Sequence, residues 1–392
     1  MRVLWFGTYS KGPGYPRTAV LLDGFRAAGV EVAECHAPLF DGAAGKVQAV
    51  RRPLRAAFRA AIAWARLAAR FFRAGPRDAV VVGYTGHADI HLARALSVAW
   101  RRPVILDAFL SPWDTVVNDR RLLAADSLKA RALFALERSA LRVADLVLTD
   151  TAAHADFMAE TFGVERSRFV PVPVGSLVRA RARAPVAVAV GMGHGEGEEF
   201  TAFFCGSFVP LQGVPFILDA AARAPEIRFV LVGDGPDGPA VARDVHARAL
   251  PNVTLDRRFI AREELEQRLA AADAVLGVFG ATPKSLRVVP CKVYDGLAAG
   301  LPVVTGDGPG PRELVRHGEN ALLVDRDDPD SLVAALRRLR DEPSLADRLR
   351  SGARRLAREQ FSAEAIGLRL RAALAEVVGA RGASRRPPGV RR

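Results

Sequence analysis

Residues 200–236 read FTAFFCGSFVPLQGVPFILDAAARAPEIRFVLVGDGP. An apolar run ends at Cys205-Gly206, and a turn with proline and glycine follows. A helix is predicted from about residue 213, and a second apolar run at 229–233 ends in Gly-Asp-Gly-Pro. Two unbroken apolar runs joined by a helix describe parallel strands covered on both faces.

The alternation continues outward in both directions. Toward the C-terminus come a helix over 238–249, the strand VTLDRRF, a helix over 262–272 and AVLGVF at 274–279. The helix KVYDGLAAG, PVVTG at 302–306 and three helical segments across about 329–378 complete that half. Toward the N-terminus, VLWF at 3–6 leads through TYSKGPGYPR to a helix over about 17–28. Strands follow at VEVAEC, AVVVG (79–83) and PVILD (103–107), then a helix over about 125–143, DLVLTD (145–150) and FVPVPVG (169–175). Residues 176–198, rich in alanine, arginine and glycine with no helical stripe, read as an interdomain connection.

The predicted organisation is an α/β chain with domains at 1–175 and 199–360 around that linker. A helix over 361–379 is expected to return to the first domain, and the basic tail 380–392 to be disordered. Two successive open parallel sheets place ligands at the carboxyl ends of their strands.

Composition narrows the class. At 392 residues the chain exceeds one small core, and 50% hydrophobic with 25% charged residues excludes wholesale disorder. Three cysteines, Cys35, Cys205 and Cys291, form no disulfide framework, so a reducing, cytoplasmic setting is expected. No apolar run reaches the roughly 20 residues of a spanning helix. The start, MRVLWFGTYS, reads as a buried strand rather than a signal peptide. The formal charge of +13 invites a nucleic-acid reading, but of 56 basic residues few are lysine, an arginine excess typical of codon composition. The charge gathers in the tail and in residues 43–77, which contain no acid. No nucleic-acid partner is expected, since aromatic–basic motifs are lacking.

Three glycine loops at strand ends, Gly12–Gly14, Gly206–Gly213 and Gly306–Gly310, allow backbone N–H groups to approach a phosphate. The GDGP turn, with Gly235, lines the same edge, and Gly308 lies in the third loop.

The order CGSFVPLQGVPFILDAAARAPEIRFVLVGDGP, NVTLDRRFI, KVYDGLAAGLPVVTGDGPGPRELVRHGENALLV resembles the donor domain of a family 4 glycosyltransferase. DAFLSPWDT, ERSALRVADLVLTDTAAHADFMAETFGV and FVPVPVG extend the resemblance through the first half, so it covers about residues 1–378. It implies the GT-B fold: two facing Rossmann-like, doubly wound parallel-sheet domains with a nucleotide-sugar between them. It also implies hexosyl transfer from a nucleotide-diphosphate sugar, with retention and without a metal or bound cofactor.

The family's arginine and lysine for the diphosphate fall at Ser207 and Gln212, a departure that leaves two phosphates short of charge. Lys284, Arg287 and Lys292 are the nearest cations, and two of them are among the rare lysines. The second family glutamate, for the ribose, matches Asp295. The first falls at Arg287 and is not matched. Phe259 follows the strand that cradles the base in the family, with core packing as the other reading. On the acceptor side, Asp107 or Asp114 is expected to orient or deprotonate the acceptor hydroxyl, and Ser111 lies between them. His87, Lys11 and Arg17 are further candidates, with a structural histidine and a solvated arginine as the plain alternatives. Asp325 and Asp327 form a literal Asp-x-Asp but read as a capped turn before a helix.

Arginines 52, 55, 59, 66, 70 and 73 share a helical stripe, with Leu54, Phe58, Trp64, Phe71 and Phe72 largely opposite. Peripheral contact with an anionic membrane through 52–73 is one expectation, and packing of those aromatics on the first sheet is the other. A sugar-nucleotide epimerase or pseudo-glycosyltransferase on the same fold, or a non-catalytic binding protein, stands as the alternative function. The donor base, the sugar and the acceptor are not specified by the sequence.

Overall fold

The computed structural model describes residues 1–12, 16–39, 53–178 and 199–383. The chain forms two units: Met1–Pro173 with the stretch from Ala363 onward, and Val174–Ser362.

The first unit is built on a parallel sheet ordered β2-β1-β3-β4-β5-β6. Its strands are β1 (Arg2–Gly7), β2 (Glu31–His36), β3 (Ala79–Val82), β4 (Val104–Phe109), β5 (Leu146–Thr149) and β6 (Phe169–Pro171). Val3–Phe6, Ala79–Val82 and Val104–Leu106 are wholly buried, as unbroken apolar runs covered on both faces require. The helices are α1 (Pro16–Ala27), α2 (Pro53–Ala74), α3 (Asp89–Ser97), α4 (Leu128–Val143) and α5 (Ala152–Phe162). Ser127 caps α4 by accepting from the Ala130 N–H at 3.2 Å, and Thr151 caps α5 by accepting from the His154 N–H at 3.1 Å.

The second unit repeats the plan in a sheet ordered β12-β11-β10-β7-β8-β9. Its strands are β7 (Thr201–Cys205), β8 (Arg228–Val232), β9 (Val253–Asp256), β10 (Ala274–Leu276), β11 (Val303–Gly306) and β12 (Leu322–Val324). Helices α6 (Val214–Arg223), α7 (Gly238–Ala247), α8 (Arg262–Ala270) and α9 (Cys291–Ala298) lie between strands. They are followed by α10 (Pro309–Leu314), α11 (Pro329–Asp341) and α12 (Pro343–Leu356). The last helix, α13 (Ala363–Ala383), packs on α1 in the first unit. Ser176 and Val178, placed by sequence in the linker, belong with the second unit, while 179–198 and the tail from 384 lie outside the described residues.

Two corrections concern apolar side chains. Phe259 is 78% exposed, so core packing does not hold it. The aromatics of α2 split: Phe71 is buried and Trp64 packs on the first core, whereas Phe58 and Phe72 face outward. Leu54 and Arg52 fall where no side chain is described.

The loops after β7 and β10 meet at Gly213. Its φ of +68° lies in the left-handed region, and a Cβ there would stand 2.4 Å from the Gly280 nitrogen. Gly213→Ala is therefore expected to cost about 3 kcal/mol from strain and overlap with backbone. A thermal melt would read this as a Tm lowered by about 6–12 °C.

Candidate functional site

In the second unit the chain runs outward through β7, β8 and β9, then restarts at β10 on the other side of β7. The switch point, where doubly wound sheets bind ligands, therefore lies at the carboxyl ends of β7 and β10. The Gly206 turn follows β7, and α9 follows β10.

Lys292, in the first turn of α9, reaches over the end of β7. Its Nζ stands 3.6 Å from the centre of the Phe204 ring and donates a hydrogen bond to Gln212 Oε1. A Cβ on Gly206 would come within 2.6 Å of that Nζ, so the lysine lies against the glycine turn itself. Burial pushes its pKa down to about 7, although Cys205, Cys291 and Asp295 all favour the ammonium. Lys292 thus brings a cation from α9 to the turn where Ser207 and Gln212 carry none. Ser207 is exposed, and Gln212 serves as the acceptor for Lys292.

Asp295 follows one turn later. The Ser176 hydroxyl donates to its Oδ1 at 2.6 Å. Burial raises the Asp295 pKa to about 6, against the opposing pull of Ser176, Arg262 and Lys292. Near neutral pH the switch point therefore holds a carboxylate and a lysine poised between its charged and neutral forms.

The other cations sit in the loop after β10. Lys284 is buried and Arg287 half-buried. That loop is fastened by Arg326, which lies between the two acids of the Asp325–Asp327 turn. Its guanidinium donates to the carbonyl oxygens of Val278 (3.1 Å), Gly280 (3.0 Å), Ser285 (3.2 Å), Gly306 (2.9 Å) and Asp307 (2.6 Å). Burial brings its pKa down to about 10. The Gly310 N–H donates to the Leu286 carbonyl at 2.9 Å, so the turn carrying Gly308 and the loop carrying Lys284 and Arg287 form one body. Across the sheet, the Phe208 N–H donates to the Asp234 carbonyl at 3.1 Å, and Gly235 lies against Phe208. The pair Asp325 and Asp327 forms a turn in which the Asp327 N–H donates to Asp325 Oδ1 at 2.9 Å. Among the described residues no three His, Cys, Asp or Glu side chains come together to hold a metal ion.

The strand ends of the first unit require corrections. Arg17, expected at an acceptor or in solvent, is 3% exposed and ion-paired with Asp107, its Nε 2.8 Å from Asp107 Oδ1. It also donates to the Val172 and Thr149 carbonyls at 3.0 and 3.3 Å and lies 4.9 Å from the Phe109 ring centre. Asp107 is wholly buried, and burial raises its pKa against the pull of Arg17. Asp114 is 1% exposed and accepts from Asn118 Nδ2 at 2.9 Å, while its N–H donates to Ser111 Oγ at 3.0 Å. Both carboxylates are buried among groups of their own unit. His87 is 4% exposed, and burial holds its pKa down to about 4, so the ring is neutral. Lys11 pairs with Glu34, which also accepts from Tyr9 Oη at 2.8 Å. Gly14 lies outside the described residues.

Residues 5–175 match the family described as glycosyl transferase 4-like domain, and residues 199–342 the family described as glycosyl transferases group 1. The chain belongs to the group 1, 4-like glycosyltransferases. Two curated relatives of this glycosyltransferase illustrate the range. It is 31% identical over 170 residues to the lipopolysaccharide core biosynthesis glycosyltransferase LpsD of Rhizobium meliloti, covering 43% of this chain and 47% of that protein. It is 32% identical over 235 residues to the D-inositol 3-phosphate glycosyltransferase of Thermomonospora curvata, covering 55% and 53%. The matches thus span about half the length of these relatives. Among solved structures, Anabaena HepE in complex with UDP aligns over 96% of this chain and 100% of its own, with a TM-score of 0.65 and 17% identity. Sucrose-phosphate synthase from Thermosynechococcus elongatus aligns over 97% and 99%, with a TM-score of 0.68 and 18% identity. These structures have the GT-B fold, which the glycosyltransferase shares.

The structure sets the expected Lys292 and Asp295 one turn apart on α9 and adds Ser176 and Arg326, which sequence reading did not single out. A single serine at the edge of a linker carries no signal, and one arginine between two acids in an arginine-rich chain reads as surface.

Proposed function

We propose that this glycosyltransferase moves a hexosyl group from a uridine-diphosphate sugar to an acceptor hydroxyl, with retention at the anomeric carbon. The observation that carries the reading is Lys292, lying on the Gly206 turn at the switch between β7 and β10. UDP in the HepE complexes and UDP-glucose in a further HepE structure support the choice of donor. In the reaction the bond from the anomeric carbon to the β-phosphate oxygen breaks and a bond to the acceptor oxygen forms. The acceptor proton is lost and UDP departs. Negative charge grows on the diphosphate as that bond breaks. Lys292 and the amides of the glycine turns would meet this charge without having to reorganise. Asp295, fixed by Ser176, would accept the ribose hydroxyls, and Lys284 and Arg287 would add positive charge beyond the diphosphate. The relatives are named for different acceptors, so none is assigned to this chain.

The ribose role has a direct test. The wild-type chain is expected to prefer UDP over 2′,3′-dideoxy-UDP by about 30-fold, the worth of hydrogen bonds to a charged group. Asp295→Ala is expected to bind both equally. Equal discrimination in the two proteins, measured by calorimetry, would take the ribose away from Asp295. Product analysis with UDP-hexoses separates transfer from epimerisation.

A further inference from the structure

Helix α2 carries two apolar faces, whereas a helix resting on a sheet needs only one. Ala63, Leu67 and Phe71 form the inner face, wholly or nearly buried. Phe58, Ile62, Ala65, Ala69 and Phe72 recur at alternating spacings of four and three, which sets them in one stripe along the opposite side. All five are exposed, Phe58 at 69%, Ile62 at 38% and Phe72 at 58%. Arg55, Arg59, Arg66, Arg70 and Arg73 form a second stripe beside the first, about 60–120° round the helix from Phe58. The helix contains no acid. Arg70 donates to the His36 carbonyl, which ties that edge to the fold. Among the described residues no carboxylate pairs with Arg55, Arg59, Arg66 or Arg73.

We propose that this face of α2 is a docking surface for an anionic lipid bilayer. An interfacial helix buries its apolar stripe among the acyl chains and sets its cations at headgroup level. Here the two stripes lie side by side, so one helix orientation satisfies both, with the long arginine stems reaching sideways to the phosphates. The negative surface supplies the charge that the arginines lack within the chain. A nucleic acid would pair with the arginines but leave the phenylalanines in water. A second copy would have to bring two arginine stripes together. Among the described residues no helix is long and apolar enough to cross a membrane, so the contact is peripheral to the bilayer.

Flotation of the full chain with vesicles tests the surface. Vesicles of phosphatidylcholine alone are compared with vesicles of equal parts phosphatidylcholine and phosphatidylglycerol. Binding to the anionic vesicles alone, weakened by salt, is expected. Each of Arg55→Gln and Arg59→Gln should lower the partition coefficient about fivefold. Phe58→Ser with Phe72→Ser should lower it by about tenfold or more. These side chains are exposed, so circular dichroism and melting should not change. Failure to bind anionic vesicles, or equal binding to neutral ones, would overturn the proposal. A concentration-dependent dimer abolished by Phe58→Ser would also overturn it and make the stripe an interface between copies.

Discussion

The Lys292→Met variant is expected to bind UDP about 100-fold more weakly than the wild type, and to turn over a UDP-sugar correspondingly less well. Methionine keeps the length of the side chain and suits the Phe204 ring, so folding should survive. Removing an ammonium whose burial costs free energy should even raise the melting temperature. The sign follows from its depressed pKa. Between about pH 7 and 10.5 the unfolded lysine holds a proton that the folded one has released. Its contribution therefore makes the folded chain more stable as pH rises through that window. A diphosphate reverses the preference by favouring the ammonium, so UDP binding should take up a proton on the alkaline side of neutrality. The donor reading rests on this coupling, since the chain lacks the basic pair at Ser207 and Gln212.

The second large effect is expected at Arg326. Arg326→Met removes five hydrogen bonds to carbonyls of two loops and leaves oxygens in a closed space. Some keep other partners: Val278 O accepts from the Gly306 N–H, and Gly280 O from Ser285 Oγ. The expected loss is accordingly about 3 kcal/mol, read from a shifted urea midpoint. Lysine should rescue little, because one ammonium cannot reproduce a planar fork of five donors. Since Lys284 and Arg287 ride on the fastened loop, surviving protein should also show weaker UDP binding. Unaltered stability would mean that the carbonyls find other partners.

The fold was legible in sequence where physics is simple. Runs such as AVVV, VILD and FVLV are buried on both faces, and only parallel strands between helices meet that demand. Short elements escaped notice: β12 spans Leu322–Val324 and α10 spans Pro309–Leu314, too brief for any period to show. Helix α2 misled because residues apolar on both faces look like one large apolar face in a linear string. Lys292 stood out as a rare lysine beside a predicted crevice. Arg17 and Asp107 did not reveal their pairing, because a contact between α1 and β4 depends on strand order rather than on local pattern.

Calorimetric titration of UDP at pH 6.5 and 8.5, with the wild-type chain and Lys292→Met, tests the central claim most directly. The expected result is one site per chain, with wild-type affinity falling about 20-fold between the two pH values as the lysine must be recharged. The variant should bind weakly and without that dependence. Equal affinity in both proteins, or no binding by the wild type, would contradict a diphosphate held by Lys292.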